Sequence, residues 1–279
     1  MLTIKAQKRL GGFIRHSWLM LSVFAILFPF LWIALSGFKR EIDIAMSRIS
    51  FAPVWSNYEE LLFSKSSTYL TNFLNSVIVS FSATVLCVGI ATLAAHSLRR
   101  HKWPIFAVSA ILIFSMIFNM TPAMTLVGAW HSLFVKVGIN NTLFALILVN
   151  VVLLLPMALW LMMTFMRDVP EELEEAAAID GCTPAEIFRK IVLPLVVPGM
   201  MATSVIVFVF SWNEFQAALT LTTKATQTVP VAIAKFAQEY EVKHGAMAAA
   251  ATLSTIPAVM LMLVATRYIV SGLTNGAIK

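Results

Sequence analysis

The sequence is short of charge and of cysteine, and both shortages narrow the class of protein that it encodes. Only 12% of the 279 residues are charged, against roughly 25% in an average soluble domain, whereas 59% are hydrophobic. A soluble fold of this length cannot bury so much apolar surface, but lipid can cover it. The two cysteines, Cys87 and Cys182, have neither disulfide-framework nor metal-ligand spacing. The composition therefore favours a membrane protein.

Two further features are not indicated by the sequence, namely a nucleic-acid-binding surface and a signal peptide. The net charge is +6, but the basic residues form short clusters between apolar runs, with no basic stripe and no nucleic-acid motif. A nucleic-acid partner is therefore rejected. The first apolar run, from Trp18 to Phe38, is too long for a signal peptide and long enough to cross about 30 Å of hydrocarbon. We expect it to be a retained membrane span.

Six apolar runs are present, and each is long enough to span a bilayer. Backbone polar groups in lipid must be paired internally, so the runs are predicted to be helices. The predicted fold class is an all-α membrane protein with six transmembrane helices. The runs cover residues 17–38, 72–96, 104–127, 142–166, 195–218 and 247–270.

The positions of lysine and arginine predict the orientation of these spans. The tight cluster Arg99-Arg100-His101-Lys102 is typical of a short cytoplasmic loop. With six spans, both termini then lie in the cytoplasm. We expect a cytoplasmic N-terminal tail over residues 1–16, followed by a single transmembrane domain over 17–279.

The segment 167–194, between the fourth and fifth spans, carries the most specific local signals. Asp168 is a candidate cap for one helix, and Gly181 can adopt the left-handed conformation that ends it. Thr183, Pro184 and Glu186 then have the spacing of a second helix start: cap, first-turn proline and capping-box acid. The sequence predicts a stiff helix–turn–helix elbow on the cytoplasmic side.

The same segment resembles the signature loop of importer permeases of the ATP-binding-cassette superfamily. The matching residues are Glu175-Ala176-Ala177, then Gly181, then Ile191 and Leu193-Pro194 at the expected spacing. The resemblance covers about residues 72–270 and identifies 167–194 as the coupling loop, which in this family docks on an ATPase subunit. Cys182 departs from the frequent alanine after the glycine.

The resemblance implies a mechanism and a set of partners. Closure of an ATPase dimer on ATP and Mg²⁺ would move the elbow and switch the spans between inward- and outward-facing states. The expected partners are a second permease subunit, two ATPase subunits, an extracytoplasmic solute-binding protein and membrane lipid. The chain itself has no phosphate-binding loop, so no cofactor is expected to bind to it. The implied ATPase-coupling residues are Glu172, Glu175, Ala176, Ala177, Ile179, Asp180, Gly181 and Phe188.

A polar-aromatic run at 211–215, late in the fifth predicted span, gives a candidate substrate site. Trp212 or Phe215 could stack on a sugar ring while Asn213 and Glu214 bind hydroxyl groups. The competing interpretation is that these residues lie at the headgroup level. The run resembles that of maltose-type carbohydrate permeases, which implies transport of a di- or oligosaccharide.

Three other functions are compatible with a polytopic chain. The first is an ATP-driven permease for a non-sugar solute, and the second is a secondary transporter, although charged residues within the spans are few. The third is an integral membrane enzyme, but the sequence contains no catalytic motif such as His-Glu-x-x-His or Gly-x-Ser-x-Gly. Asn119, a lone amide in the third span, is expected to bond a neighbouring helix more readily than a ligand.

Overall fold

The computed structural model describes residues 4–100, 103–237 and 242–276, with side chains from residue 12 to residue 266 within those ranges. All regular elements there are helical, as the composition predicts. They are α1 (Ile4–Ser36), α2 (Glu41–Ala45), α3 (Ser56–Phe63), α4 (Tyr69–Arg100), α5 (Ile105–Met120), α6 (Ala123–Val137), α7 (Leu143–Arg167), α8 (Glu171–Ile179), α9 (Pro184–Ile187), a π-helical turn (Phe188–Val192), α10 (Leu193–Trp212), α11 (Gln216–Leu221), α12 (Val229–Ala234) and α13 (His244–Gly276).

Five helices of the described chain are long and apolar enough to cross a membrane, and a bent pair would make a sixth span. The bent pair is α5 and α6, which meet at 96° within the third predicted span, given as residues 104–127. Pro122 explains the break, because proline disfavours helical backbone in the residue before it. Thr121 is indeed extended there, with ψ of 121°.

The fifth predicted span differs at both ends. It begins earlier, as a continuous helix from Pro184, and it ends at Trp212 instead of residue 218. The chain then turns through residues 213–215 into the short helix α11. Helix α1 begins at Ile4, well before the first apolar run, so the predicted N-terminal tail is helical from that residue.

The chain divides into two compact units. One comprises the residues up to Ser67 together with Ile233–Thr255, and the other comprises Thr68–Ala232 together with the residues from Ile256 on. In the first unit, the Glu41 carboxylate accepts hydrogen bonds from the backbone N–H groups of His244 and Gly245, at the first turn of α13. This contact satisfies N–H groups that have no partner within the helix itself.

The second unit is built on α4, α7 and α10, which pack against one another along their lengths. Small side chains let the backbones approach closely, as in other membrane helix bundles. Ala91, Ala95 and Ala158 are fully buried in one apolar cluster near the Arg100 end of α4. A second cluster near the opposite end includes Val79, Leu146 and residues of α11. These packed helices form the support on which the elbow sits.

Candidate functional site

The elbow predicted from residues 167–194 is present, with α8 and α9 as its two arms. Asp168 does not cap α8, which corrects the prediction; it is the C-cap residue that follows the preceding helix α7. Pro170 holds the N-cap position instead, in extended conformation, and α8 starts at Glu171. The Val169-Pro170 pair explains the shift, because a residue before proline avoids helical backbone. Acidic residues still occupy the first turn of α8, where the helix dipole favours them.

The turn between the arms depends on Gly181, as predicted. Its φ of +83° lies in the left-handed region, which glycine adopts at little cost. The Gly181 N–H donates to the Ala178 carbonyl at 3.1 Å, and the Cys182 N–H donates to the Ala177 carbonyl at 3.0 Å. This pair of bonds is a Schellman motif, which closes the C-terminal end of α8.

The second arm begins with the predicted capping box. The Thr183 hydroxyl accepts from the Glu186 N–H, and the Glu186 carboxylate accepts from the Thr183 N–H. Pro184 holds the first helical position, where its missing N–H costs nothing. From here the π-helical turn continues directly into α10. The second arm of the elbow is therefore the first part of a membrane-crossing helix.

Arg100, at the end of α4, fastens the elbow to the bundle and was predicted only as a topology signal. Its Nε lies 2.6 Å from the Glu174 carboxylate, and its Nη1 lies 2.6 Å from that of Glu171. Its Nη2 also donates to the Val169 carbonyl at 3.0 Å. We call these contacts the Arg100 clamp. Because the partners lie about 70 positions apart in the sequence, local spacing gave no signal for the pairing.

One face of α8 is open to partners. Among the predicted coupling residues, Glu172, Glu175, Ala176, Ile179 and Asp180 are exposed. Ile179 is 86% exposed and adds an apolar side chain to the acidic surface of α8. An acidic face with an apolar side chain at its end is a surface on which another protein can dock.

Two predicted coupling residues, Ala177 and Phe188, lie against the bundle of this chain and not on the exposed face of α8. Ala177 is only 6% exposed and belongs to the core cluster beneath α8. Phe188 packs against the same cluster, with its ring centroid 5.0 Å from that of His96. Both side chains stabilise the elbow from within, because the inner face of α8 and the π-helical turn rest on the bundle.

The predicted substrate residues at 212–215 lie at the corner between α10 and α11. Trp212 is 5% exposed; its ring is stacked on that of Phe208 and meets that of Phe73 edge-on, so both neighbours cover it in this structure. Glu214 accepts hydrogen bonds from the N–H groups of Ala217 and Ala218 and thereby caps α11.

The two remaining members of the run differ in exposure. Phe215 packs against the cluster around α11. Asn213 is exposed, although its amide donates to the Val209 carbonyl at 2.8 Å. At Glu214, which follows the span, burial raises the pKa of the carboxyl group while the backbone N–H groups act in the opposite direction. The run is mainly a structural corner at the end of α10.

Polar side chains at the opposite end of the bundle from the elbow hold the connection between α11 and α12. The Asn75 amide donates to the carbonyls of Ala225 and Gln227, both at 3.0 Å. The side-chain amide oxygen of Asn141 accepts a hydrogen bond from the backbone N–H of Thr223 at 2.8 Å. These contacts were not predicted. Within the described residues, no group of three His, Cys, Asp or Glu side chains is arranged to hold a metal ion.

The fold matches solved membrane proteins. A bacterial ABC transporter that imports the acidic polysaccharide alginate contains a chain that superposes with a TM-score of 0.72, over 96% of this chain and 99% of that one, at 18% identity. The same type of transporter in complex with an alginate-bound periplasmic protein gives a TM-score of 0.63. At this level of identity the similarity concerns the fold.

Sequence relatives cover almost the whole chain. The trehalose/maltose transport system permease protein MalG of Thermococcus litoralis is 35% identical over 91% of both chains. The trehalose transport system permease protein SugB of Mycobacterium tuberculosis is 33% identical over 91% of this chain and 92% of its own. The family model described as "Binding-protein-dependent transport system inner membrane component" matches residues 3–275. The chain therefore belongs to the family of binding-protein-dependent transport system inner membrane components.

Proposed function

We propose that this chain is the permease subunit of an ATP-driven importer for a di- or oligosaccharide. Its relatives named for a substrate include permeases for trehalose, trehalose/maltose and diacetylchitobiose. The observation that carries the proposal is the elbow, which presents an exposed acidic and apolar face while its inner side is anchored in the bundle. Such a structure can receive a force from a partner and pass it to the spans.

The elbow has two rigid connections through which a movement can travel. The Arg100 clamp joins α8 to the end of α4. The other connection is covalent, because α9 and the π-helical turn run into α10 without a break. A displacement of α8 therefore moves the ends of two of the three core helices together. This coupled movement is the change that alternating access requires, since rigid elements with two arrangements carry such coupling.

The energy for transport comes from separate ATPase subunits. The chain has no Gly-x4-Gly-Lys-Ser/Thr loop, so ATP and Mg²⁺ bind to the partner. The complex contains a second, different permease subunit, two ATPase subunits and an external binding protein. The elbow and both termini of this chain face the cytoplasm, where the ATPases dock on Glu172, Glu175 and Ile179.

The test is co-purification of the complex through a tag on this chain, with ATPase activity and sugar uptake measured after reconstitution. Glu175→Ala is expected to weaken ATPase association or to lower uptake per ATP, because Glu175 is exposed on the docking face. Glu59→Ala removes another exposed acid, on α3, and serves as the control. If no ATPase co-purifies, or if both variants behave like the wild type, the proposed docking face is wrong.

A further inference from the structure

A small depression in the membrane-spanning part of the second unit has the side chains of a carbohydrate contact. It lies between α5 and α7 and measures about 240 Å³. Met116 and Asn119 line it from α5, and Pro156, Met157 and Trp160 line it from α7. We propose that this depression binds one ring of the transported sugar, an inference that rests on the proposed function.

The depression lies deep along both helices and not at the membrane surface. Asn119 is roughly 21 Å along α5 from Ile105, and Pro156 is roughly 16 Å along α7 from Arg167, at about 1.5 Å per residue. Helix α5 ends one residue after Asn119, at the 96° bend. Transport sites tend to lie near the middle of the bilayer beside interrupted helices, which is the position of this depression.

Asn119 supplies hydrogen-bonding groups at this depth. Its amide donates to the Ser115 carbonyl of its own helix at 3.2 Å, so it does not join two helices as was expected from the sequence. The amide oxygen and one N–H remain for a ligand. An exposed amide inside an apolar span costs free energy unless it meets water, protein or a polar ligand.

Trp160 supplies an apolar ring beside the amide. It lines the depression and is 47% exposed, unlike the buried Trp212. A flat aromatic ring suits the apolar C–H face of a pyranose, while the amide suits its hydroxyl groups. Pro156 has no backbone N–H, so the carbonyl of Val152, one turn earlier in the helix, lacks its usual hydrogen-bond donor.

The size of the depression indicates how much of the substrate it holds. Sites that enclose a whole drug-sized ligand measure about 300–1,000 Å³. At about 240 Å³, this depression fits a single sugar ring. The remaining rings of a di- or oligosaccharide would contact the second permease subunit. The substrate contact therefore lies on α5 and α7 and not in the run at 212–215.

The test uses the full complex reconstituted in proteoliposomes, with trehalose, maltose and diacetylchitobiose as probes. For the sugar that the wild type transports, Trp160→Ala is expected to lower uptake per ATP about five-fold or more, because a stacking contact is lost. Trp160→Phe should restore most of the uptake, and Met157→Trp should block it by filling the depression. Stimulation of ATP hydrolysis by the binding protein should stay unchanged in all three.

Trp103→Ala is the matched control. Trp103 is 48% exposed, almost the same fraction as Trp160, but it precedes α5 at its membrane-surface end. Its loss should leave uptake per ATP unchanged. The inference is overturned if Trp160→Ala and Met157→Trp transport as well as this control. Uptake of none of the three sugars by the wild type would count against the carbohydrate assignment itself, and the inference would fall with it.

A second measurement distinguishes a sugar site from a lipid contact and does not depend on activity. Met157→Cys, with Cys87 and Cys182 replaced by serine, is treated with a charged, water-soluble thiol reagent. We expect modification, because a sugar path must be wet, and we expect the transported sugar to slow it. Modification only by a membrane-soluble reagent, with no protection by sugar, would show that lipid fills the depression.

Discussion

Removal of the Arg100 side chain is predicted to loosen the elbow strongly, and the structure sets the size of the effect. The Arg100 and Glu174 side chains are only 11% and 13% exposed, so Arg100→Ala leaves a nearly buried carboxylate without its partner. Breaking a buried ion pair costs about 3–5 kcal/mol, and partial access of water lowers this to about 2–3 kcal/mol. The local opening constant of α8 should then rise roughly 30- to 150-fold.

Hydrogen exchange of the α8 amides measures this opening, because local unfolding controls their protection. Arg100→Lys should give an intermediate rate, since lysine keeps the charge but lacks the planar fork that contacts both carboxylates. Lys190→Ala is the matched control within the elbow. It breaks a pair whose side chains are 64% and 44% exposed, and such a pair should change the exchange about two-fold or less. Equal exchange in the Arg100→Ala and Lys190→Ala variants would refute the clamp.

Two further predictions concern glycines. At Gly181 an added Cβ meets nothing within 4 Å, so Gly181→Ala should cost only the backbone strain of φ +83°, about 1–2 kcal/mol, and uptake should persist. Gly181→Pro cannot adopt this φ and should abolish coupled uptake; equal uptake by the two variants would contradict the turn. At Gly199 a Cβ would lie 2.6 Å from the Phe165 Cβ, so Gly199→Ala should destabilise the complex by about 1–3 kcal/mol. Thermal inactivation of the complex measures this loss. A second substitution in the same chain, Phe165→Ala, should restore part of the lost stability. No recovery would show that α7 and α10 do not pack as closely as the structure has them.

The elbow turn was predictable from the sequence because its chemistry is local. A left-handed glycine, an N-cap threonine, a first-turn proline and a capping-box glutamate all act within a few residues of one another. The structure confirms Gly181 and Thr183 in these roles. The N-cap of α8 lies two residues after the predicted Asp168, because Pro170 keeps the residue before it out of helical conformation.

Contacts between distant segments were not predictable in this way. Trp212 is covered by Phe73, a residue on another helix. A tryptophan near a span end has the same local sequence pattern whether it is buried or exposed, so the sequence does not distinguish the two. Glu214 was interpreted as a ligand group, but its position three residues before Ala217 also fits a helix cap, which the structure shows. Arg100 was predicted only as a marker of the cytoplasmic side, and its role in the Arg100 clamp was missed.

The break between α5 and α6 has a local signal in the sequence, because Pro122 marks a possible kink. Pro122 follows Thr121 within an apolar run, and a residue before proline is a frequent helix boundary. The apolar character of the run continues past the proline, so hydropathy by itself predicts one span. The same break brings Asn119 to the end of α5, beside the depression that Trp160 lines.

The most direct test of the central claim is sugar uptake by proteoliposomes with and without the ATPase subunits. The complete complex, with its binding protein outside and ATP inside, is predicted to accumulate a di- or oligosaccharide. Omission of the ATPases, or replacement of ATP by a non-hydrolysable analogue, should stop accumulation, because this sequence has no phosphate-binding loop of its own. Uptake by this chain alone, driven by a proton or sodium gradient, would contradict the account and identify a secondary transporter.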